Sequence, residues 1–169
     1  MSRKIHTYPD KILTQKARPV EKIDDYIIDL SRDMARLMYE HRGIGLAAPQ
    51  VGESLRVVTV DLSGPDNQED LFTYINPEII ASEDETTTEE GCLSVAGYQT
   101  KVCRARKVKV RALNLQGEEV IHEGEDLWAV CMQHEIDHLN GILFIDHISR
   151  LKRAMYDKKV KKWLENTKE

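Results

Sequence analysis

The chain has 169 residues, 41% of them hydrophobic and 31% charged, with a formal net charge of −5 at pH 7. This length predicts a single domain, residues 1–169, with its own core. The absence of any apolar run near about 18 residues excludes a membrane-spanning helix. The polar start, Met1–His6, and three widely spaced cysteines indicate neither a signal peptide nor a disulfide framework, so we expect a cytoplasmic protein with free thiols.

Hydrophobic spacing and turn residues predict helices towards both ends of the chain and strands in the middle. In chain order the first elements are a helical turn at 10–16, a helix at 23–41, a loop at 43–50, and strands at 55–60 and 72–75, the second closed by Asn76-Pro77. A β-prone stretch at 86–88 leads into a loop at 90–95, and a short extended piece follows at 102–104. The remaining elements are a hairpin of 108–113 with 119–121, a helix ending at Asn140-Gly141, a buried strand at 142–145 and a basic helix at about 149–168. On the last helix we expect Leu151, Met155, Val160 and Leu164 to face inward. This order predicts an α+β fold, with mixed or antiparallel β-sheets wrapped around the helix that precedes Asn140.

That central helix carries the pattern most informative about chemistry, His134-Glu135-Ile136-Asp137-His138. Side chains four residues apart share one face of a helix, so both imidazoles can bind the same metal ion. Glu135 lies next to the first imidazole, where its carboxylate can reach a water on that ion. Both histidines fall on the apolar stripe of the helix, where buried imidazoles need partners.

A catalytic metal of this kind needs a third protein ligand, and the residues alone leave several candidates. One protease pattern, His-Glu-x-x-His-x-x-Gly-x-x-His, fails at Phe144, which cannot coordinate, although Asp146 and His147 follow closely. Cys131 lies about 10 Å from His138 along one helix at about 1.5 Å per residue, too far to share an ion. Cys92 follows Gly91 in a predicted loop, entered from a β-prone stretch, that the chain can bring to the helix.

Three segments together resemble the peptide deformylases. They are Gly43-Ile44-Gly45-Leu46-Ala47-Ala48-Pro49-Gln50, Glu90-Gly91-Cys92-Leu93-Ser94-Val95 and Gln133-His134-Glu135-Ile136-Asp137-His138. They occur in the family's order and at family-like separations, and the similarity extends from about Ile5 to the final helix. The resemblance implies a metal-dependent hydrolase of protein biosynthesis that removes the formyl group from the formyl-methionine of nascent polypeptides.

The resemblance also implies a role for each motif residue. The implied metal ligands are Cys92, His134 and His138. Glu135 would be the general acid and base, while Gln50 and the backbone N–H of Leu93 would bind the developing oxyanion. The ion would be divalent, with Fe²⁺ as the native choice, although Zn²⁺, Ni²⁺ or Co²⁺ also suits two imidazoles and a thiolate.

Substrate binding is assigned on the same resemblance. Ile44 and Gly45 would bind the substrate backbone as an added strand. The pocket for the methionine side chain would be formed by Leu127, Val130 and Cys131, and Glu90 would pair with Arg104 behind the site. The chain departs from many relatives at Ala96-Gly97-Tyr98, where they have proline first, and at Gln99, near where some have arginine. Both departures affect a loop beside the substrate cleft.

The charge distribution adds one hypothesis about partners. Residues 149–169 contain eight Lys or Arg residues and three Asp or Glu residues. Such a basic helix is either a solvated surface or a contact with acidic ribosomal RNA. We expect no membrane or DNA partner. Two alternatives to the deformylase hypothesis remain, a His-Glu-x-x-His metalloprotease and a non-enzymatic metal- or peptide-binding module.

Overall fold

The structure is a computed structural model that describes residues 2–167, so Lys168, which the prediction placed in the last helix, lies outside the described residues. The helices are α1 (Asp25–Glu40), α2 (Leu127–Leu139) and α3 (Arg150–Asn166). The strands are β1 (Gly45–Ala47), β2 (Val57–Val60), β3 (Phe72–Cys92), β4 (Val95–Leu113) and β5 (Glu119–Glu125), and short 3₁₀ turns cover Lys11–Thr14, Ala48–Val51 and Phe144–His147. The predicted α+β class is confirmed.

The five strands form one antiparallel sheet whose spatial order follows the sequence, from β1 at one edge to β5 at the other. The helix α2 packs against β1, β2, β4 and β5, and α1 packs against β1 and β2. The sheet thus contacts α2 through several of its strands, and Met132 and Leu139 on this helix are fully buried. This burial places the two motif histidines in the interior.

Local side-chain contacts explain where the helices begin and end. The Asp24 side chain accepts a hydrogen bond from Ile27 N at the start of α1, and the Ser149 side chain accepts one from Lys152 N at the start of α3. Gly141, just after α2, has a φ of 75°, a conformation that glycine adopts without strain. The boundaries therefore follow signals that are visible in the sequence.

The second predicted strand is longer than expected. Asn76-Pro77 indicates a stop because proline has no N–H to donate to a neighbouring strand, yet β3 continues to Cys92. The pairing shifts between Ile75 and Glu78, and Asn76 has a φ of 52°, so a bulge accommodates the proline outside the regular ladder. The β-prone stretch at 86–88 and the extended piece at 102–104 belong to one long β3–β4 hairpin. The loop predicted at 90–95 was wrong in part, because β3 continues through Gly91 to Cys92.

Other predictions of local structure were wrong. The loop at 43–50 contains β1 and a 3₁₀ turn, and the strand at 142–145 is replaced by the turn Phe144–His147. Phe144 and Ile145 are buried as predicted, but a short apolar run is compatible with a buried strand or a buried turn, so the pattern alone could not separate the two.

The inward face of α3 also differs from the prediction. Val160 is buried as expected, but Leu151, Met155 and Leu164 are 72%, 64% and 45% exposed. Tyr156 is buried beside Val160 instead. The helix therefore contacts the rest of the protein along a narrow edge, and its exposed apolar residues lie among lysines. Within residues 2–167, no helix has both the length and the apolar character needed to cross a bilayer.

Candidate active site

Three side chains with metal-binding atoms converge where β3 ends beside α2. Cys92 is the last residue of β3, and His134 and His138 lie one turn apart on α2. Their ligand atoms all lie within 4.8 Å of one another, with Cys92 Sγ 3.4 Å from His138 Nε2. Among residues 2–167 this is the single cluster of its kind. A thiolate with two imidazoles suits a divalent transition metal.

The downstream candidates for the third ligand have other partners. Asp146 accepts hydrogen bonds from Arg153 and from the backbone N–H of Leu143. His147 is hydrogen-bonded to Asp137. The structure therefore brings Cys92 to the histidine pair and leaves Asp146 and His147 outside the group.

A buried acidic side chain orients the first histidine. Glu90 accepts a hydrogen bond from His134 Nδ1 at 2.9 Å, which leaves Nε2 of that ring available for a metal. Burial alone would raise the pKa of Glu90, but hydrogen bonds from Arg104 and His134 lower it to about 2. The pairing of Glu90 with Arg104 that the resemblance implies is present, through two N–H···O contacts of 2.8 Å.

The same network extends to two residues for which the sequence analysis assigned no such role. Arg104 donates a further hydrogen bond to Asp137 at 2.7 Å, and Asp137 lies 2.8 Å from His147 Nε2. The Arg104 side chain is only 5% exposed, and a buried charge needs a counter-charge. The carboxylates of Glu90 and Asp137 supply it. Asp137 directly precedes His138, a predicted metal ligand, and this position is the one signal in the sequence that could have identified Asp137.

His138 and Glu135 are both buried within the site. Burial lowers the pKa of His138 well below its usual value, so the ring is neutral, as metal binding requires. Burial raises the pKa of Glu135, and this effect outweighs the positive charges of His134 and Arg104, which lower the pKa; the result is about 7. Glu135 Oε2 has no hydrogen-bond partner among residues 2–167. A buried carboxylate oxygen without a partner, next to a thiol and two imidazoles, fits a site that holds a metal and its water.

The Gln50 amide is held in one orientation beside this group. Its Oε1 accepts a hydrogen bond from the backbone N–H of Ala47 at 2.9 Å. Its Nε2 therefore faces Ser94 Oγ at 3.1 Å and Cys92 Sγ at 3.6 Å. Ser94 is fully buried and was not predicted as a site residue, although it lies within one of the three motif segments.

A cavity of about 900 Å³ opens beside Cys92 and His134. Its walls include every residue predicted for catalysis or substrate binding, namely Ile44, Gly45, Gln50, Leu93, Leu127, Val130, Cys131 and Glu135, and two predicted ligands, Cys92 and His134. His138, which is 1% exposed, lies behind that wall. Arg42, Thr86, Thr88 and Glu89 also line the cavity, and nothing in their local pattern distinguishes them from ordinary exposed residues.

Gly45 brings the backbone of β1 unusually close to α2. A Cβ atom at this position would lie 2.8 Å from Cys131 Sγ and 2.9 Å from Glu135 Oε1. Only glycine allows that approach without moving a neighbour. Burial raises the pKa of Cys131 well above its usual value, so its thiol is neutral and forms part of an apolar wall.

Comparison with known proteins extends the similarity well beyond these motifs. The family model described as polypeptide deformylase matches residues 2–154. The peptide deformylase of Desulfotalea psychrophila is 48% identical over 161 residues, and that of Phenylobacterium zucineum is 50% identical over 161 residues; each match covers 95% of both chains. A crystal structure of a peptide deformylase from Legionella pneumophila has a TM-score of 0.91 at 45% identity, covering 99% of this chain and 98% of that one.

Proposed function

This chain belongs to the peptide deformylase family, and on that premise we propose that Cys92, His134 and His138 hold a catalytic metal while Glu135 moves the proton. The chain is a hydrolase that removes the formyl group from the N-terminal formyl-methionine of nascent polypeptides. One observation carries the assignment of residues: a thiol and two imidazoles converge beside a buried carboxylate oxygen that has no partner among residues 2–167.

The chemistry divides between the ion and the side chains. Cys92, His134 and His138 would hold the divalent ion, which would supply an acidified water and positive charge near the formyl oxygen. Glu135 accepts the proton of the attacking water and returns it to the departing nitrogen. Gln50 Nε2 and the backbone N–H of Leu93 donate to the developing oxyanion, and each such donor is worth about 10²–10³ in rate. The contact of Gln50 Oε1 with Ala47 N supports this role, because it directs the donor end of the amide towards the site.

Substrate binding uses the edge of the sheet. β1 is an edge strand, so its outer side can accept an extended peptide as an additional strand at Ile44 and Gly45. Leu127, Val130 and Cys131 supply the apolar side of the cavity, and we assign them to the methionine side chain. Leu127 is 57% exposed, which suits a residue that a substrate covers.

The identity of the metal is a separate proposal. The family implies a divalent ion, and we propose Fe²⁺ as the native one, while Zn²⁺, Ni²⁺ or Co²⁺ suits the same donors. Metal analysis of protein purified without oxygen tests this directly. We expect iron in the fresh protein, and oxidation of the Cys92 thiolate as iron and activity are lost in air.

We also propose that residues 1–169 form a single catalytic domain that works in the cytoplasm, where α3 contacts the ribosome. The lysines of α3 at 158, 159, 161 and 162 are all exposed and lie close together in the sequence of this helix. Neutralising all four should weaken binding to ribosomes at low salt. Lys159 Nζ lies 5.1 Å from the centre of the Trp163 ring, so changing Lys159 also removes a contact within α3. A matched variant should therefore keep Lys159 and change only the other three lysines. If both variants bind ribosomes as the wild-type protein does, the proposed ribosome contact is wrong, and the proposed catalytic function is not affected by that result.

The experiment that tests the function measures formate release. Protein purified without oxygen should release formate from a formyl-Met peptide and leave the matched acetyl-Met peptide intact. Cys92→Ala should lose this activity together with the metal.

The alternatives predict different products. Cleavage of internal peptide bonds that persists in Cys92→Ala would indicate the metalloprotease, and binding of metal without hydrolysis would indicate the binding module. In the described residues only three side chains gather as ligands, which favours an open position for water over a closed structural site.

A further inference from the structure

The hairpin of β3 and β4 contains an irregular segment beside the active site. Gly91 pairs with Gln99 and Cys92 pairs with Val95, so the register within the described chain leaves Ala96, Gly97 and Tyr98 without partners on β3. We call residues 96–98 the cleft bulge. Gly97 has a φ of 65°, which glycine tolerates. Backbone groups that leave a ladder need partners from elsewhere in the structure.

The helix α3 supplies those contacts. Tyr156 donates its hydroxyl to the carbonyl oxygen of Ala96 at 2.9 Å, and burial raises the pKa of Tyr156 to about 12, so the hydroxyl keeps its proton. The ring of Tyr156 lies 4.9 Å from that of Tyr98. Trp163 covers Gly97 so closely that a Cβ there would be 3.1 Å from Trp163 Cη2. Each residue of the cleft bulge therefore touches α3.

The inner edge of α3 is in turn anchored to the N-terminal segment. Asp157 accepts a hydrogen bond from the Tyr8 hydroxyl, and Arg153 lies over the Tyr8 ring at 5.3 Å. The backbone N–H of Tyr8 donates to the carbonyl of Ser94 at 2.7 Å, at the turn that precedes the cleft bulge. The helix α3 thus contacts the cleft bulge directly and is also linked, through Tyr8, to the turn that precedes it.

The cleft bulge also forms part of the cavity wall, and its first two residues are exposed, so it lies at the mouth of the cavity. The apolar wall of the cavity that α2 supplies is separate from the cleft bulge, and we assign that wall to the methionine side chain of the substrate. We propose that Tyr156 and Trp163 of α3 are positioning residues that hold the cleft bulge in the shape that binds the substrate residues following formyl-methionine. This inference rests on the proposed function, because it assigns part of the same substrate cleft.

The test compares two substrates in Tyr156→Phe, which removes the hydroxyl and keeps the ring. Loss of one hydrogen bond should raise KM for a formyl-Met tripeptide about fivefold, with kcat within about twofold. KM for formyl-Met amide, which has no following residues, should stay at the wild-type value. Trp163→Ala should show the same pattern with a larger rise in KM.

Leu164→Ala is the matched control, since this exposed neighbour of Trp163 lies on the same helix and should leave both values of KM unchanged. Hydrogen exchange provides a second measurement that needs no substrate. Amides of residues 96–99 should exchange faster in Tyr156→Phe than in the wild-type protein, while those of α2 should not. If KM and exchange both stay at wild-type values in a folded Tyr156→Phe protein, the proposal is wrong. Should the wild-type protein release no formate, the proposed function fails, whereas faster exchange at 96–99 would still support the positioning role of α3.

Discussion

Glu135 is buried, follows the proposed metal ligand His134 and lines the cavity, and these three properties define its expected behaviour. Glu135→Ala should keep the metal and lose about 10²–10⁴ in kcat, because proton transfer is lost while the three ligands remain. Measuring metal content and formate release on the same sample checks both parts. Glu125→Ala, an exposed glutamate at the end of β5, serves as the control and should have normal activity. A fully active Glu135→Ala protein would contradict the assigned role.

Gly45 offers a steric test of the same site. A methyl group there would lie within 3 Å of both Cys131 Sγ and Glu135 Oε1. Gly45→Ala should therefore displace Glu135, the proposed base, or β1, and a displacement of about 1 Å costs about 100-fold in kcat/KM. Circular dichroism should show a folded protein. A wild-type rate would mean that β1 moves aside without consequence, and that the close approach of Gly45 to Glu135 is not needed for activity.

At the scale of secondary structure, Arg104 joins the long hairpin to α2. It bridges the buried carboxylate of Glu90 on β3 and the half-buried carboxylate of Asp137 on α2, and its removal would take away the positive charge that the two carboxylates share. We expect Arg104→Ala to lower the free energy of unfolding by about 3 kcal/mol, because the histidine partners of the two carboxylates replace only part of what the guanidinium supplies. Urea denaturation of the metal-free protein measures this change without a contribution from the ion.

Arg106, two residues further along β4, is the matched control for Arg104. It forms ion pairs with Glu125 and Asp84 at the surface. Arg106→Ala should change the unfolding midpoint little, because exposed ion pairs are screened by water. Equal effects of the two substitutions would show that the buried network contributes no more than surface charge does.

At the scale of the whole molecule, the metal should couple distant parts of the chain. Cys92 comes from the hairpin and the histidines come from α2, so an ion bound to all three stabilises only the folded state. Adding Co²⁺ or Zn²⁺ to chelator-treated protein should raise Tm, and binding contributes about 4 kcal/mol when the free ion exceeds Kd a thousandfold. Calorimetry with and without the ion measures the shift.

Cysteine variants separate specific binding from other effects of the ion. Cys92→Ala should remove most of the rise in Tm, whereas Cys103→Ala, which alters an exposed thiol on β4, should retain it. If the wild-type protein shows no rise, the metal assignment fails. If Cys103→Ala loses the rise as well, the effect does not come from the site at Cys92.

Several structural features could be predicted because their causes are local. Caps at Asp24 and Ser149 and the glycine after α2 define helix ends within a few residues. The turn between β4 and β5 follows from Asn114 and Gly117 in the same way. The strand predicted at 142–145 and the inward face predicted for α3 failed because both depend on which surfaces the apolar residues meet, and periodicity does not contain that information.

The amino-acid sequence by itself determined the pairing of His134 with His138, since four residues of helix always place two side chains on one face. It also supplied the family resemblance that assigns a role to each motif residue. Only the tertiary structure decided that Cys92, 46 residues before His138, reaches that pair while Asp146 and His147 do not. The contacts of Ser94 with Gln50, of Asp137 with Arg104 and of Tyr156 with Ala96 were likewise decided by the fold. The physical reason is that helix geometry acts over one turn, whereas these contacts depend on how the hairpin, α2 and α3 pack together.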